Sequence, residues 1–119
     1  MAKLDLSPLS QIDGFVGAAL VDTDSGMALA KLGGGGVDLD LAASGNAEVV
    51  KAKRRVASSL KLNDSIEDVL ITLGKQYHLI RPLERNEKLF VYVVLDRARS
   101  NLALSRHELK NFEQNLEFA

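Results

Sequence analysis

The sequence contains no cysteine and no tryptophan, only two prolines, and 5% aromatic residues. Without cysteine the chain has no disulfide, no thiolate metal ligand and no cysteine nucleophile. Because aromatic side chains are scarce, its core must be mainly aliphatic. No apolar run approaches the roughly 18 residues of a membrane-spanning helix, and the early acidic residue Asp5 is unlike a signal peptide. We therefore expect a cytoplasmic protein that does not bind a membrane.

The chain also lacks an excess of charge of either sign. It carries 15 basic and 16 acidic side chains, for a formal net charge of −1. Near-neutrality argues against electrostatic attraction to nucleic acid or to an anionic membrane. It also leaves little repulsion between copies of the chain, which permits self-association. A length of 119 residues, 46% of them hydrophobic, fits one globular domain over 1–119.

The first half of the chain is predicted to hold a helix, a hairpin and a long helix. Apolar spacing around Pro8 favours a short helix over 3–12. The uncharged run 14–21 predicts a buried strand, and 27–32 is its hairpin partner. Helical periodicity then extends over 38–60, with a possible interruption at Gly45.

The second half is predicted to hold three strands and a final helix. Strands are expected over 66–73, 77–83 and 89–95, and an amphipathic helix over 101–116. The unbroken apolar run 89–95 indicates a central strand covered on both faces. The order α-β-β-α-β-β-β-α, with tight turns between successive strands, predicts an α+β fold around a five-stranded antiparallel sheet.

Two loops have a binding interpretation and a structural one. Residues 22–26, DTDSG, resemble the start of a calcium loop, but the glycine and the twelfth residue are wrong for one. A hairpin turn is the favoured interpretation. The glycine run 33–36 could cradle phosphate, yet no Gly-Lys-Ser/Thr follows it, and Asp38 and Asp40 would repel an anion. A flexible linker between strand and helix is the favoured interpretation there.

No constellation of residues indicates catalysis. His78 and His107 lie in no metal-binding pattern, and no nucleophile elbow or dinucleotide fingerprint is present. The sequence therefore predicts no catalytic residue, no metal site and no cofactor. The basic cluster Lys51 to Arg55 lacks neighbouring aromatic residues, so we do not expect nucleic-acid binding. It is either a solvated helix face or part of a partner surface.

Three segments together resemble the Roadblock/dynein light chain family, of the bacterial type. The first is IDGFVGAALVDTDSGM over 12–27, similar to the family's opening strand pair. The second is VLITLGKQYHLIR over 69–81, similar to its second hairpin. The third is LFVYVVLD over 89–96 running into NLALSR over 101–106, like its last strand and closing helix. The order and spacing of these loose patterns carry the resemblance, which spans nearly the whole chain.

The resemblance implies an architecture and a function. The long middle helix would cover one face of the sheet, and the first and last helices the other. Members generally dimerise through the second strand and the middle helices, have no enzymatic site, and often act as scaffolds or regulators of Ras-like GTPases. The expected interface or partner residues here are Met27, Leu29, Leu32, Ala43, Ala47, Val50, Arg54 and Arg55.

A small-ligand sensor is the alternative function. The small residues of the strand 14–21 could leave room for a pocket beneath a covering helix, near His78 or Tyr92. A homodimeric, non-catalytic interaction module is the favoured interpretation.

Overall fold

The computed structural model describes residues 5–116. Within them, seven longer elements are joined by short connections and two 3₁₀ turns, at Ser7–Gln11 and Arg97–Arg99. The longer elements are β1 (Phe15–Asp22), β2 (Ala28–Gly33), α1 (Leu39–Ser59), β3 (Val69–Thr72), β4 (Gln76–Pro82), β5 (Leu89–Asp96) and α2 (Leu102–Asn115).

The five strands form one antiparallel sheet in the order β2-β1-β5-β4-β3. The predicted five-stranded antiparallel sheet is thus confirmed. β5 lies at its centre and is buried along almost its whole length, as its unbroken apolar sequence predicts. β2 and β3 are the two edges.

Each face of the sheet has its own hydrophobic core, because successive side chains of a strand point to opposite faces. On one face, Leu39, Ala43, Ala47 and Val50 of α1 pack with side chains that include Tyr92. On the other face, the 3₁₀ turn at Ser7–Gln11 and helix α2 supply Leu9, Leu109 and Phe112. No helix within 5–116 is long and apolar enough to cross a membrane.

Both long helices begin at a side-chain cap. The backbone N–H of Leu41 donates to Asp38 Oδ1 at 3.1 Å, and that of Leu104 donates to Asn101 Oδ1 at 3.1 Å. α1 runs through Gly45 without the interruption considered from sequence. The predicted first helix is a 3₁₀ turn over Ser7–Gln11, with Pro8 in its first turn, and the predicted residues 3–4 lie outside the described part of the chain.

The glycine run after β2 is a defined turn rather than the flexible linker predicted. Gly33, Gly34 and Gly35 all have positive φ, at 66°, 127° and 54°. A Cβ on Gly33 would lie 2.6 Å from the carbonyl oxygen of Val16. The N–H of Gly34 donates to that same oxygen at 2.9 Å. Glycine is required because the chain passes this close to β1 in a left-handed conformation.

A buried ion pair joins the end of β4 to α2. Arg81 Nε donates to Glu113 Oε1 at 2.7 Å, and both side chains are 3% exposed. Glu113 Oε2 also accepts the backbone N–H of Glu84 at 2.8 Å. Arg85 donates to the carbonyl oxygens of Glu113 and Leu116 at the end of α2, and the Glu113 oxygen also accepts the backbone N–H of Leu116 at 3.2 Å.

Candidate interaction surface

Edge strand β2 and the turn before it each present one large apolar side chain to solvent. Met27, in the turn before β2, is 64% exposed, and Leu29 is 47% exposed. Leu20 of β1 pairs with Ala30 and Val21 pairs with Ala28, so Leu29 is the extra residue of a β-bulge. Bulges on edge strands redirect a side chain and leave its residue without a cross-strand partner. The bulge at Leu29 therefore accounts for an unpaired leucine at the edge.

The outer surface of α1 continues this apolar character. Leu41 in its first turn is 70% exposed, and Val56 and Leu60 at its other end are exposed as well. Between them lies Gly45, where an added Cβ would meet no atom within 4 Å. Lys31 of β2 pairs with Asp40 of α1 at 2.8 Å, which ties the strand to the start of the helix. The edge and the helix together form one candidate surface, here called the β2/α1 surface.

Three of the predicted interface residues belong to the core instead. Ala43, Ala47 and Val50 are almost fully buried between α1 and the sheet. Their small size lets the helix lie close to the sheet, and their side chains are not exposed for contact with a partner. The structure therefore corrects the prediction that these three residues lie at an interface. Leu32 is half-buried and packs against the core on the opposite face. Met27 and Leu29 are the predicted apolar residues that the structure exposes.

In the basic cluster of α1, some side chains contact other residues of the chain and others face solvent. Arg54 is half-buried and donates to the carbonyl oxygen of Glu87 at 2.8 Å, so it holds the β4–β5 turn. Lys51 pairs with Glu48 at 2.9 Å, and this contact lowers the pKa of Glu48. Lys53 and Arg55 are exposed and make no ion pair within the described residues. Of the two predicted arginines, only Arg55 is available to an acidic partner.

The turn at residues 22–26 is a hairpin turn. The backbone N–H of Gly26 donates to the carbonyl oxygen of Asp22 at 2.8 Å, and that of Asp22 donates to the carbonyl oxygen of Met27 at 2.9 Å. Ser25 Oγ donates to the Asp22 carboxylate at 2.7 Å and thereby lowers the pKa of Asp22. Hydrogen bonds within the turn thus occupy this carboxylate. Over residues 5–116 no three potential ligands among His, Asp and Glu cluster as a metal site would require.

A polar contact lies beneath α1, where sequence suggested a ligand pocket. Tyr92 is 1% exposed, and its hydroxyl lies 3.0 Å from His78 Nδ1. His78 Nε2 lies 2.9 Å from Gln76 Oε1, and burial lowers the pKa of His78. Ala18 and Ala19 of β1 are fully buried against the two cores. Packed side chains therefore fill the space at the small residues of β1.

An open cleft of about 930 Å³ lies elsewhere, between the C-terminal half of α1, the 61–67 segment and the end of β4. Its lining carries equal numbers of basic and acidic side chains, Arg54, Lys61, Arg81, Lys110, Asp64, Glu67, Glu84 and Glu87. Sites for small ligands are usually lined mainly by apolar side chains with a few polar groups. The charged lining of this cleft departs from that pattern and would suit only a polar ligand that carries charge.

Comparison of the structure with solved proteins identifies the architecture. A Roadblock/LC7 domain from Streptomyces avermitilis superimposes with a TM-score of 0.79 over 96% of this chain and 92% of that one, at 13% identity. The chain has the Roadblock/LC7 fold. The Roadblock resemblance that the sequence suggested is thereby confirmed at the level of fold.

Two bacterial MglB proteins share the same fold. The gliding protein MglB of Thermus thermophilus has a TM-score of 0.75 over 92% of this chain and 80% of that one, at 17% identity. Myxococcus xanthus MglB has a TM-score of 0.73 over 84% of this chain and 78% of that one, at 20% identity. Neither models of protein families nor the sequences of curated proteins give a significant match.

Proposed function

We propose that this protein is a non-catalytic interaction module that forms a homodimer and acts as a scaffold or regulator of a small Ras-like GTPase in a bacterial cytoplasm. The observation that carries the proposal is the β2/α1 surface. Met27, Leu29 and Leu41 expose large apolar side chains there, beside an unpaired strand edge. Apolar area of this kind is unfavourable in water and gains free energy when a partner covers it.

The fold supports the choice of a second copy as that partner. Roadblock proteins generally dimerise through the strand and helix that correspond to β2 and α1. One structural neighbour is an MglB in a tetrameric arrangement, with a TM-score of 0.76. Because the chain is nearly neutral, two copies repel each other little. An isologous dimer would bury the same apolar side chains on both subunits.

The Leu29→Asp variant tests the homodimer. A charge placed at a buried junction costs several kcal/mol unless it is paired, so we expect the mass from light scattering at low concentration to fall from two chains to one. Leu29 is about half exposed within one chain, at 47%, so the thermal unfolding of the variant should resemble that of the wild type. Leu104→Asp, at an exposed leucine of α2, is the matched control and should stay dimeric. An unchanged mass for Leu29→Asp would contradict the proposed interface.

The GTPase partner is tested by affinity capture from a lysate of the source organism. Tagged protein is incubated with a GTP analogue or with GDP, and a small GTPase should be retained in a nucleotide-dependent way. Arg55→Glu should reduce retention if the free arginine of α1 faces an acidic partner, whereas Lys110→Glu on α2 should not. Recovery of this protein alone, under both nucleotides, would count against a GTPase partner.

A small-ligand sensor is the second candidate, and the charged cleft near Arg81 is the observation that favours it. Its volume of about 930 Å³ is sufficient for a small polar ligand. A ligand that binds only the folded protein must raise its unfolding temperature. A panel of charged metabolites that gives no thermal shift would remove this candidate.

A further inference from the structure

The charged cleft at the end of β4 contains a buried guanidinium group that is only partly hydrogen-bonded. Arg81 Nε donates to Glu113 Oε1 at 2.7 Å, and Nη2 donates to Glu84 Oε1 at 3.4 Å. Nη1 makes no hydrogen bond within residues 5–116, and its ion-pair partner Glu67 Oε1 is 3.9 Å away. That distance is too long for a hydrogen bond. The outer edge of this guanidinium, from Nη1 to Nη2, therefore has donors to spare.

The outer edge of Arg81 is open to the cleft. Arg81 lines the cleft although it is only 3% exposed. Among the buried and half-buried residues of 5–116, Thr23 Oγ1 is the one fully covered side-chain polar atom without a hydrogen bond. Arg81 Nη1 also lacks a hydrogen bond, so it cannot be fully covered. The wall of the cleft thus holds an accessible donor on a buried side chain.

The position of this donor is fixed, whereas the carboxylates beside it are free to move. Glu113 is 3% exposed and holds Arg81 from the side of α2. The side chains of Glu67 and Glu84 are 74% and 64% exposed. Both can therefore turn towards a ligand while Arg81 stays in place.

The charges around Arg81 disfavour a simple anion and a simple cation alike. Basic and acidic side chains are equal in number in the lining, so the cleft as a whole attracts neither sign. A lone carboxylate at Nη1 would lie beside Glu67 and Glu84, which repel it, and a lone cation would lie beside Arg81. A molecule that carries a carboxylate and an ammonium group close together avoids both repulsions.

We propose that the cleft binds a free α-amino acid. The carboxylate of the ligand accepts hydrogen bonds from the outer edge of Arg81, because a planar guanidinium matches a carboxylate with two parallel N–H groups. The ammonium group, one carbon away, donates to the carboxylates of Glu67 and Glu84. This inference rests on the second candidate function, the small-ligand sensor, and names the class of its ligand.

Other side chains of the lining suit the rest of such a ligand. Lys110 is exposed, makes no ion pair within the described residues and lies one turn before Glu113 on α2, on the same side of that helix. It supplies a second cation near the ligand carboxylate. Ala57, Ile66 and Leu83 also line the cleft and offer apolar surface to the side chain of the ligand.

The common free amino acids, each at millimolar concentration, are the first probes. At least one should raise the unfolding temperature of the full chain, because a ligand that binds only the folded protein stabilises it. For that amino acid, the N-acetyl derivative lacks the ammonium group and the amide lacks the carboxylate. Calorimetric titration should give each derivative a Kd about tenfold higher or more, since each loses hydrogen bonds between charged groups.

Variants of the exposed carboxylates test the site without unfolding the protein. Arg81 itself is unsuitable, because its removal leaves Glu113 charged and buried. The double variant Glu67→Gln, Glu84→Gln should weaken binding about tenfold and change the unfolding temperature little, since both side chains are exposed. Lys110→Gln should weaken binding by a smaller factor. Glu48→Gln, at an exposed glutamate of α1 outside the cleft, is the matched control and should bind as the wild type does.

The Nε–H resonance of Arg81 reports the contact directly. Burial and the bond to Glu113 protect this proton from exchange with water. In NMR spectra of the ¹⁵N-labelled protein it should shift as the amino acid is added, together with the backbone amide of Glu84.

The proposal is overturned if no amino acid changes the unfolding temperature or the Arg81 resonance. It is also overturned if the N-acetyl derivative and the amide bind as tightly as the amino acid, or if the double glutamine variant does. Binding of charged metabolites of another class, without binding of amino acids, would overturn this proposal and leave the small-ligand sensor as a candidate. None of these results bears on the homodimer or on the GTPase partner, which have their own tests.

Discussion

Arg81 and Glu113 form the most enclosed charge pair in the described structure, and each depends on the other. Both side chains are 3% exposed, and Arg81 Nε and Glu113 Oε1 are 2.7 Å apart. Removing one member of such a pair leaves an uncompensated buried charge. The contacts of Arg81 with Glu84 and Glu67 are longer and involve exposed carboxylates, so they cannot replace Glu113.

We therefore expect Glu113→Ala to lower the free energy of unfolding by about 3–5 kcal/mol. Glu84→Ala is the control, and its cost should be below about 1 kcal/mol because the carboxylate is exposed. Urea denaturation of the two variants and the wild type measures both values. A loss below about 1 kcal/mol for Glu113→Ala would contradict the role assigned to this pair.

His78 should make stability depend on pH. Its pKa in the folded protein lies below the ordinary value of 6.5 because burial disfavours the charged ring. As the pH falls through about 6.5, the unfolded chain binds this proton before the folded chain does, so the free energy of unfolding decreases. It stops decreasing from this cause below the folded pKa. Urea titrations between pH 7.5 and 5 should show a smaller decrease for His78→Gln than for the wild type. Equal decreases would contradict the expectation, and His107→Gln serves as an exposed control.

Some residue-level predictions were wrong for a definite reason. Ala43, Ala47 and Val50 were assigned to a partner surface, yet they lie against the sheet. Small residues on a helix allow close packing either against the sheet of the same chain or against a partner. Composition alone therefore does not say which of the two they contact. The Arg81–Glu113 pair was not predicted at all, because its members are far apart in sequence and belong to no local pattern.

The order of the elements and their approximate bounds could be predicted, because periodicity is a local property. Helix α1 was expected over 38–60 and is found at Leu39–Ser59. β3 is shorter than expected: 66–73 was predicted, but the strand spans Val69–Thr72, followed by one more backbone hydrogen bond from Leu73 to Gln76 of β4. The apolar residue Ile66 extended the prediction to 66–68, which precede the pairing of β3 with β4. The glycine run 33–36 was predicted to be flexible. Its positive φ angles are required by contacts with β1, and the local sequence does not show those contacts.

Helix α1 contains a glycine, Gly45, that no contact within the described structure requires. A Cβ at Gly45 would meet nothing, although glycine in a helix costs about 1 kcal/mol relative to alanine. A second helix packed closely against this point would explain it. We expect Gly45→Leu to weaken the homodimer about tenfold or more, because the side chain would separate the helices. Gly45→Ala should instead raise the free energy of unfolding of the Leu29→Asp single chain by about 1 kcal/mol.

Sedimentation and urea denaturation measure these two effects. A Gly45→Leu protein that dimerises as tightly as the wild type would show that no helix approaches Gly45.

At the scale of the whole molecule, the strand order could not be predicted from local sequence patterns. Hairpin turns indicate that β1 pairs with β2 and that β3 pairs with β4, but they say nothing about β1 and β5. The structure places β5 between β1 and β4, with Phe15 opposite Leu95. The family resemblance implied a five-stranded antiparallel sheet but gave no strand order. The association surfaces remain predictions, since they depend on a second molecule.

The pairing of β1 with β5 also constrains how the chain folds during synthesis. The two strands come from near opposite ends of the chain, so the ribosome must release β5 before the sheet can close. Until then the first hairpin has no neighbour on its β1 side. Contacts of such large sequence separation slow folding and leave strands exposed to other nascent chains. The glycine turn at the end of β2 lies against β1 and is formed by residues near the hairpin in sequence. It can therefore stabilise the pairing of β1 with β2 before β5 has been synthesised.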